Sequence, residues 1–157
     1  GRAEFDPALV PVKSGREIVC EKLDFGGKEY SVTAVNVGNS HCVIFCDKVD
    51  DVDMDALGQA VLASGLFPDL AYLDCARIVN DLTLKLRVWN KVNGETMASG
   101  TSAAAAVASA IKIGKCARGK VITVKLRGGD LFVKMNEDGD IVLDGSVKQS
   151  YEGVIEI

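Results

Sequence analysis

The stretch of this chain best suited to chemistry is Asn93-Gly94-Glu95-Thr96-Met97-Ala98-Ser99-Gly100-Thr101. Its glycines and hydroxyl side chains precede a long alanine-rich run. At a helix start they leave backbone N–H groups without intrahelical partners. The positive end of the helix dipole lies at the same point, so a carboxylate or phosphate binds well there. The plainer reading is a helix cap, in which Ser99 or Thr101 satisfies one free donor. The single histidine, His41, stands beside Cys42, with Cys46 following. Cys20, Cys42, Cys46, Cys75 and Cys116 are odd in number and form no clustered framework, which fits a reduced, cytoplasmic chain. Cys42, Ile44 and Cys46 alternate with Val43 and Phe45, so they share one strand face as small buried hydrophobes. A zinc site needs a further ligand pair at tetrahedral-site spacing, and none follows, so no metal is expected.

These residues must be carried by regular elements, and most of the chain reads as strands. Glu17–Phe25 and Lys28–Val37 flank Gly26-Gly27, a hairpin signal. His41–Asp47 forms a third strand. Leu82, Leu84, Leu86 and Val88 alternate with Thr83, Lys85, Arg87 and Trp89, the pattern of a half-buried strand. Lys120–Arg127 and Asp130–Met135 surround Gly128-Gly129, and Asp138-Gly139 turns into Ile141–Leu143. The spacing predicts an antiparallel sheet or barrel and no βαβ units. A shorter helix is expected over Met54–Ser64, capped by Asp53 and ended by Gly65. A second runs from Ser99 to Ile111 and ends near Lys112 and Gly114. Its small, apolar surface is that of a helix buried on every side. The fold class is therefore α+β, a mostly antiparallel sheet or barrel wrapped around a central Ala-rich helix.

Composition sets the outer limits. The chain has 157 residues, enough for one domain with a real core. Hydrophobic residues make up 48% and charged residues 25%, which excludes a disordered chain. The formal charge is −4 and no basic run offers phosphates a footprint, so a nucleic-acid partner is not expected. No apolar stretch reaches the roughly 18 residues of a membrane span, so no membrane partner is expected either. The opening Gly1-Arg2-Ala3-Glu4 lacks an initiator Met and reads like the middle of a longer protein.

The motifs resemble those of diaminopimelate epimerase. Asn36-Val37-Gly38-Asn39-Ser40-His41-Cys42 resembles that family's Gly-Asn-Pro-His stretch, and Phe67-Pro68 lies where it has Phe-Pro. Gly94-Glu95-Thr96 followed by Ala98-Ser99-Gly100-Thr101 resembles its Gly-Glu-Thr-x-Ala-Cys-Gly-Thr signature. Phe5-Asp6-Pro7, Val10-Pro11-Val12 and Tyr151-Glu152-Gly153 also fit. The resemblance covers the second half of that two-lobed enzyme. It implies a single domain over 1–157 equivalent to the C-terminal lobe, with the N-terminal lobe missing. It also implies an active site between lobes, where two cysteines epimerise an amino acid at its α-carbon without pyridoxal phosphate or another cofactor. In the family this converts LL- to meso-diaminopimelate in lysine biosynthesis.

The resemblance implies roles residue by residue. Gly100 and Thr101 hold the substrate α-carboxylate, and Asn39 contacts substrate. Ser99 replaces the family's cysteine, and a hydroxyl is hardly ionised without a strong base beside it. His41 matches the family histidine near the thiol and is the candidate to assist Ser99. Tyr72 stands where the family has asparagine. Asn90 and Lys91 replace its Glu-Arg pair, and Lys91 keeps the charge without the bidentate fork. Three readings follow: one lobe of an epimerase or racemase, inactive alone; a one-base isomerase or dehydratase of the same superfamily; or a non-catalytic ligand-binding or assembly protein. An uncovered cleft face predicts self-association, and Val154–Ile157 would pair with another chain.

Overall fold

Alternating apolar residues and two-residue glycine turns build the first ladder. The computed structural model describes residues 1–155. Strand β1 (Glu21–Phe25) and β2 (Lys28–Asn36) pair antiparallel, with Phe25 opposite Lys28. Gly26 and Gly27 have φ of 68° and 82°, the pair of positive values that a tight turn of this hand requires. β1 begins at Glu21, four residues later than the alternation predicts. Cys20 has a φ of 54°, which turns the chain out of the extended conformation just before the ladder.

β3 (Ser40–Phe45) follows, then a 3₁₀ turn (Val49–Asp51) and helix α1 (Met54–Ala63). Asp53 caps α1 as expected, accepting from Ala56 N at 3.0 Å. β4 (Tyr72–Asn80) carries no alternation at its start, because Leu73 to Ala76 are all buried, and the sequence pattern misses it. β5 (Thr83–Asn90), the short β6 (Gly94–Thr96) and helix α2 (Gly100–Lys112) come next. β7 (Val121–Leu126), β8 (Gly129–Met135) and β9 (Ile141–Asp144) complete the sheet.

The strand order is β1-β2-β3-β4-β5-β7-β8-β9, with β6 also on β5. Most neighbours are antiparallel, as expected, but β3–β4 and β5–β7 are parallel. The expectation of no βαβ units is therefore corrected at two places. Each parallel pair is joined through a helix, α1 or α2, which returns the chain to the end where the preceding strand began. The segment before β1 then links the two sides of the sheet. Glu4 exchanges backbone hydrogen bonds with Asn36 at 2.8 and 2.9 Å, and Ile141 N donates to Gly1 O at 2.8 Å.

This curled sheet encloses α2, which packs against strands from β2 to β9. Every α2 residue from Ser102 to Ala110 is buried. Alanine side chains let the strands approach closely and suit the helix intrinsically. α1 covers the other face over β1–β5, where Leu57 and Val61 join Val32, Ile44, Leu73 and Trp89 in a second core. Beyond β9, Val147, Tyr151, Val154 and Ile155 are almost fully exposed. The expected pairing of Val154–Ile157 lies partly outside the described residues.

Candidate active site

The start of α2 opens on a pocket of about 570 Å³. Ser99 is extended (φ −154°, ψ 126°), and its Oγ accepts from Ser102 N at 3.2 Å. Ser99 is thus the helix cap, and its hydroxyl also lies 3.3 Å from Thr101 Oγ1. The Gly100 and Thr101 N–H groups belong to the first turn, where no intrahelical acceptor exists. Both residues line the pocket with Ala98, Ser99, Tyr72 and Leu143. A Cβ at Gly100 would stand 2.8 Å from Leu143 Cδ2, the end of an exposed side chain that can turn aside.

The strand leading into α2 is held from two sides. Arg87 donates to both Glu95 carboxylate oxygens, at 2.7 and 2.9 Å, and Arg127 adds a contact of 2.9 Å. Hydrogen bonding from Arg87, ahead of its charge and that of Arg127, holds the Glu95 carboxyl below the usual range. Arg87 Nη1 also donates to the carbonyls of Val49, Asp50 and Val52 at 2.8–3.1 Å, locking the loop before α1 to the same network. At the β7–β8 turn, Gly128 N donates to Met97 O at 2.7 Å. The glutamate of the Gly-Glu-Thr motif is therefore a scaffold for the helix start.

The residues singled out in the sequence divide into three groups. Ser99, Gly100, Thr101 and Tyr72 come together in the pocket wall. Asn39 and His41 belong to a second layer. His41 is fully buried, and its Nδ1 lies 2.6 Å from Asp74 Oδ2 while Nε2 lies 3.1 Å from Asn39 Oδ1. Neither ring nitrogen is left for Ser99, so the structure does not join His41 to the hydroxyl it was expected to assist. Its ring stacks instead on Tyr72, with centroids 5.2 Å apart and planes 11° apart. Asn90 and Lys91 form the third group, at the β5–β6 turn away from the pocket lining. Asn90 Oδ1 accepts from Val92 N and Asn93 N at 3.0 and 2.9 Å, and Lys91 is exposed.

Asp74 escaped the sequence reading. It stands in a buried strand segment, and only its placement beside His41 distinguishes it. Among the described residues, no group of three His, Cys, Asp or Glu side chains is placed to hold a metal ion. Burial, with Asp74 adding its charge, pushes the Cys42 thiol far up, and burial likewise raises Cys75. Both thiols are core side chains and poor nucleophiles.

Known proteins resemble this chain in sequence and fold. The family model for diaminopimelate epimerase matches residues 33–149. The diaminopimelate epimerase of Bacillus thuringiensis (strain Al Hakam) is 38% identical over 158 residues, covering 99% of this chain and 55% of that protein. The diaminopimelate epimerase of Bacillus cereus (strain B4264) is 39% identical over the same shares. The chain thus spans about half the length of the curated relatives it matches. Among solved structures, a probable proline racemase from Agrobacterium radiobacter K84 aligns with a TM-score of 0.58 at 16% identity, over 75% of this chain and 41% of its own. A predicted epimerase from Pseudomonas aeruginosa aligns with a TM-score of 0.57 at 18% identity, over 91% and 52%. These two likenesses concern the fold alone. The family match and the length of the aligned sequence carry the assignment: the chain belongs to the diaminopimelate epimerase family.

Proposed function

We propose that this chain is one lobe of a two-lobed amino-acid epimerase or racemase that acts without pyridoxal phosphate. The observation that carries the reading is the pocket at the α2 start, in a chain of this family. On this reading the Gly100 and Thr101 amides hold the substrate α-carboxylate. A base on the opposite lobe removes the α-proton, and the charge that develops spreads into the carboxylate. The helix N-terminus stabilises that charge where it forms. The Ser99 hydroxyl, at the position of the second acid/base, then returns a proton to the other face of the α-carbon. Diaminopimelate is the first substrate to test, and the setting is lysine biosynthesis in the cytoplasm.

Ser99 favours a second reading. Its Oγ caps Ser102 N, and neither His41 nitrogen is available to take its proton. A hydroxyl so placed is a poor acid/base partner. A one-base isomerase or dehydratase, working on one face from the opposite lobe, follows from that.

The test is solvent-deuterium incorporation at the α-carbon of diaminopimelate by the two-lobed protein. Incorporation with inversion supports two-face epimerisation, and incorporation with retention supports one-base chemistry. Lack of exchange with every amino acid tried would leave only a non-catalytic binding or assembly protein and refute the proposal. Residues 1–157 alone should not racemise the substrate, because one wall cannot assemble the reacting groups. Met97 and Leu143 are exposed, and the uncovered cleft should make the lone lobe self-associate. A purely monomeric sedimentation equilibrium would contradict that expectation.

A further inference from the structure

We propose that Asp74 is a positioning residue for the pocket, acting through His41 on both Asn39 and Tyr72. The inference rests on the proposed reading of the pocket as a ligand site and adds a residue to it.

Asp74 and His41 face the interior from adjacent strands, β4 and β3, and both are fully buried. Their contact is short, 2.6 Å between Nδ1 and Oδ2. The second carboxylate oxygen, Oδ1, has no hydrogen-bond partner. Burying such a pair is costly, and an unpartnered oxygen adds to the cost. Two apolar side chains of similar volume would serve the core at least as well. The pair therefore calls for a role beyond packing, and its contacts supply one.

A carboxylate accepts, so the Asp74 contact places a proton on His41 Nδ1 and fixes the ring plane. Nε2 is thereby left as an acceptor, 3.1 Å from the end of the Asn39 side-chain amide, which hydrogen-bonds to it through its NH2 after a half-turn of that amide. An amide held at one end presents its other end in a defined direction. The same ring plane supports Tyr72, which stacks almost parallel on it and forms part of the pocket wall. One buried carboxylate thus orients two residues: the aromatic Tyr72 in the pocket wall and the Asn39 amide in the layer behind it. Supporting contacts of this kind hold a binding surface to the tolerance that selective recognition needs.

The test uses ¹⁵N-labelled residues 1–157, in which His41 is the sole histidine, so its ring signals need no assignment. In the unaltered chain Nδ1 should carry a slowly exchanging proton, and the His41 and Tyr72 rings should show mutual nuclear Overhauser effects. Asp74→Ala should abolish the Nδ1 proton signal and shift both the Asn39 side-chain amide pair and the Tyr72 ring protons. Asp74→Asn keeps an oxygen acceptor and should restore both toward their original positions. His41→Phe keeps the stack without the hydrogen bonds, so it should shift the Asn39 amide and leave the Tyr72 ring nearly unmoved. An unprotonated Nδ1 in the unaltered chain would overturn the proposal, even if Asp74→Ala did not fold. Unmoved Asn39 and Tyr72 signals in a folded Asp74→Ala chain would do the same. None of these spectra depends on turnover, so an inactive protein would refute the epimerase reading without touching this one.

Discussion

Gly58→Ala is the perturbation whose outcome the packing determines most sharply. Alanine is the better helix former by about 1 kcal/mol, so α1 alone would gain from the change. The new Cβ, however, would stand 2.5 Å from Trp89 Cδ2 and Cε2 and 2.7 Å from Cε3. Carbon contacts are comfortable at about 3.5–4.0 Å, so the helix and the indole must separate by roughly 1 Å. Trp89 has little room to yield. It is only 2% exposed, and its Nε1 donates to Asp55 Oδ1 at 2.7 Å. Overpacking of a filled core costs about 1–3 kcal/mol. Weakening a hydrogen bond to a carboxylate adds about 1.5 kcal/mol. Against a gain of about 1 kcal/mol, the net loss is about 2.5 kcal/mol. For a chain of this length that lowers Tm by about 5–10 °C. Urea unfolding followed by fluorescence suits the measurement, because Trp89 is the sole tryptophan. Gln59→Ala, on the exposed side of α1, serves as a control and should stay within about 0.5 kcal/mol of the original. In a Trp89→Phe background, followed by circular dichroism because the fluorophore is gone, the smaller ring makes room, so Gly58→Ala should cost less there than alone. A Gly58→Ala chain as stable as the original, with unchanged Trp89 emission, would refute the packing argument.

Two further outcomes follow from the charge and thiol chemistry. The Glu95 carboxyl is held below its ordinary pKa by Arg87, so its contribution to stability is complete above about pH 4.3 and is lost as pH falls through the lowered value. Acid unfolding of Glu95→Gln should therefore show a weaker dependence on pH in that range, measured by circular dichroism, and an unchanged acid profile would contradict the role of the pair. Under native conditions a thiol reagent should label Cys20 first, since it is exposed, whereas Cys42 and Cys75 should react only after unfolding. Rapid native labelling of Cys42 or Cys75, read by mass spectrometry, would contradict the buried placement of β3 and β4.

The sequence alone determined what depends on near neighbours. The Gly26-Gly27 turn, the Asp53 cap and the Ser99 cap each involve residues within a few positions of one another, so their chemistry is visible in order along the chain. The motif from Gly94 to Thr101 placed the site at a helix start for the same reason. Tertiary structure decided what depends on which strands become neighbours. Asp74 meets His41 because β3 and β4 run side by side and parallel, and no local pattern encodes that choice. Arg87 meets the carbonyls of Val49, Asp50 and Val52 because α1 folds back over β5. His41 illustrates the difference best. Its position in the motif suggested a partner for Ser99, but the fold surrounds it with Asp74, Asn39 and Tyr72. A buried polar group takes the partners that its strand register brings within reach, and that register is a property of the whole sheet.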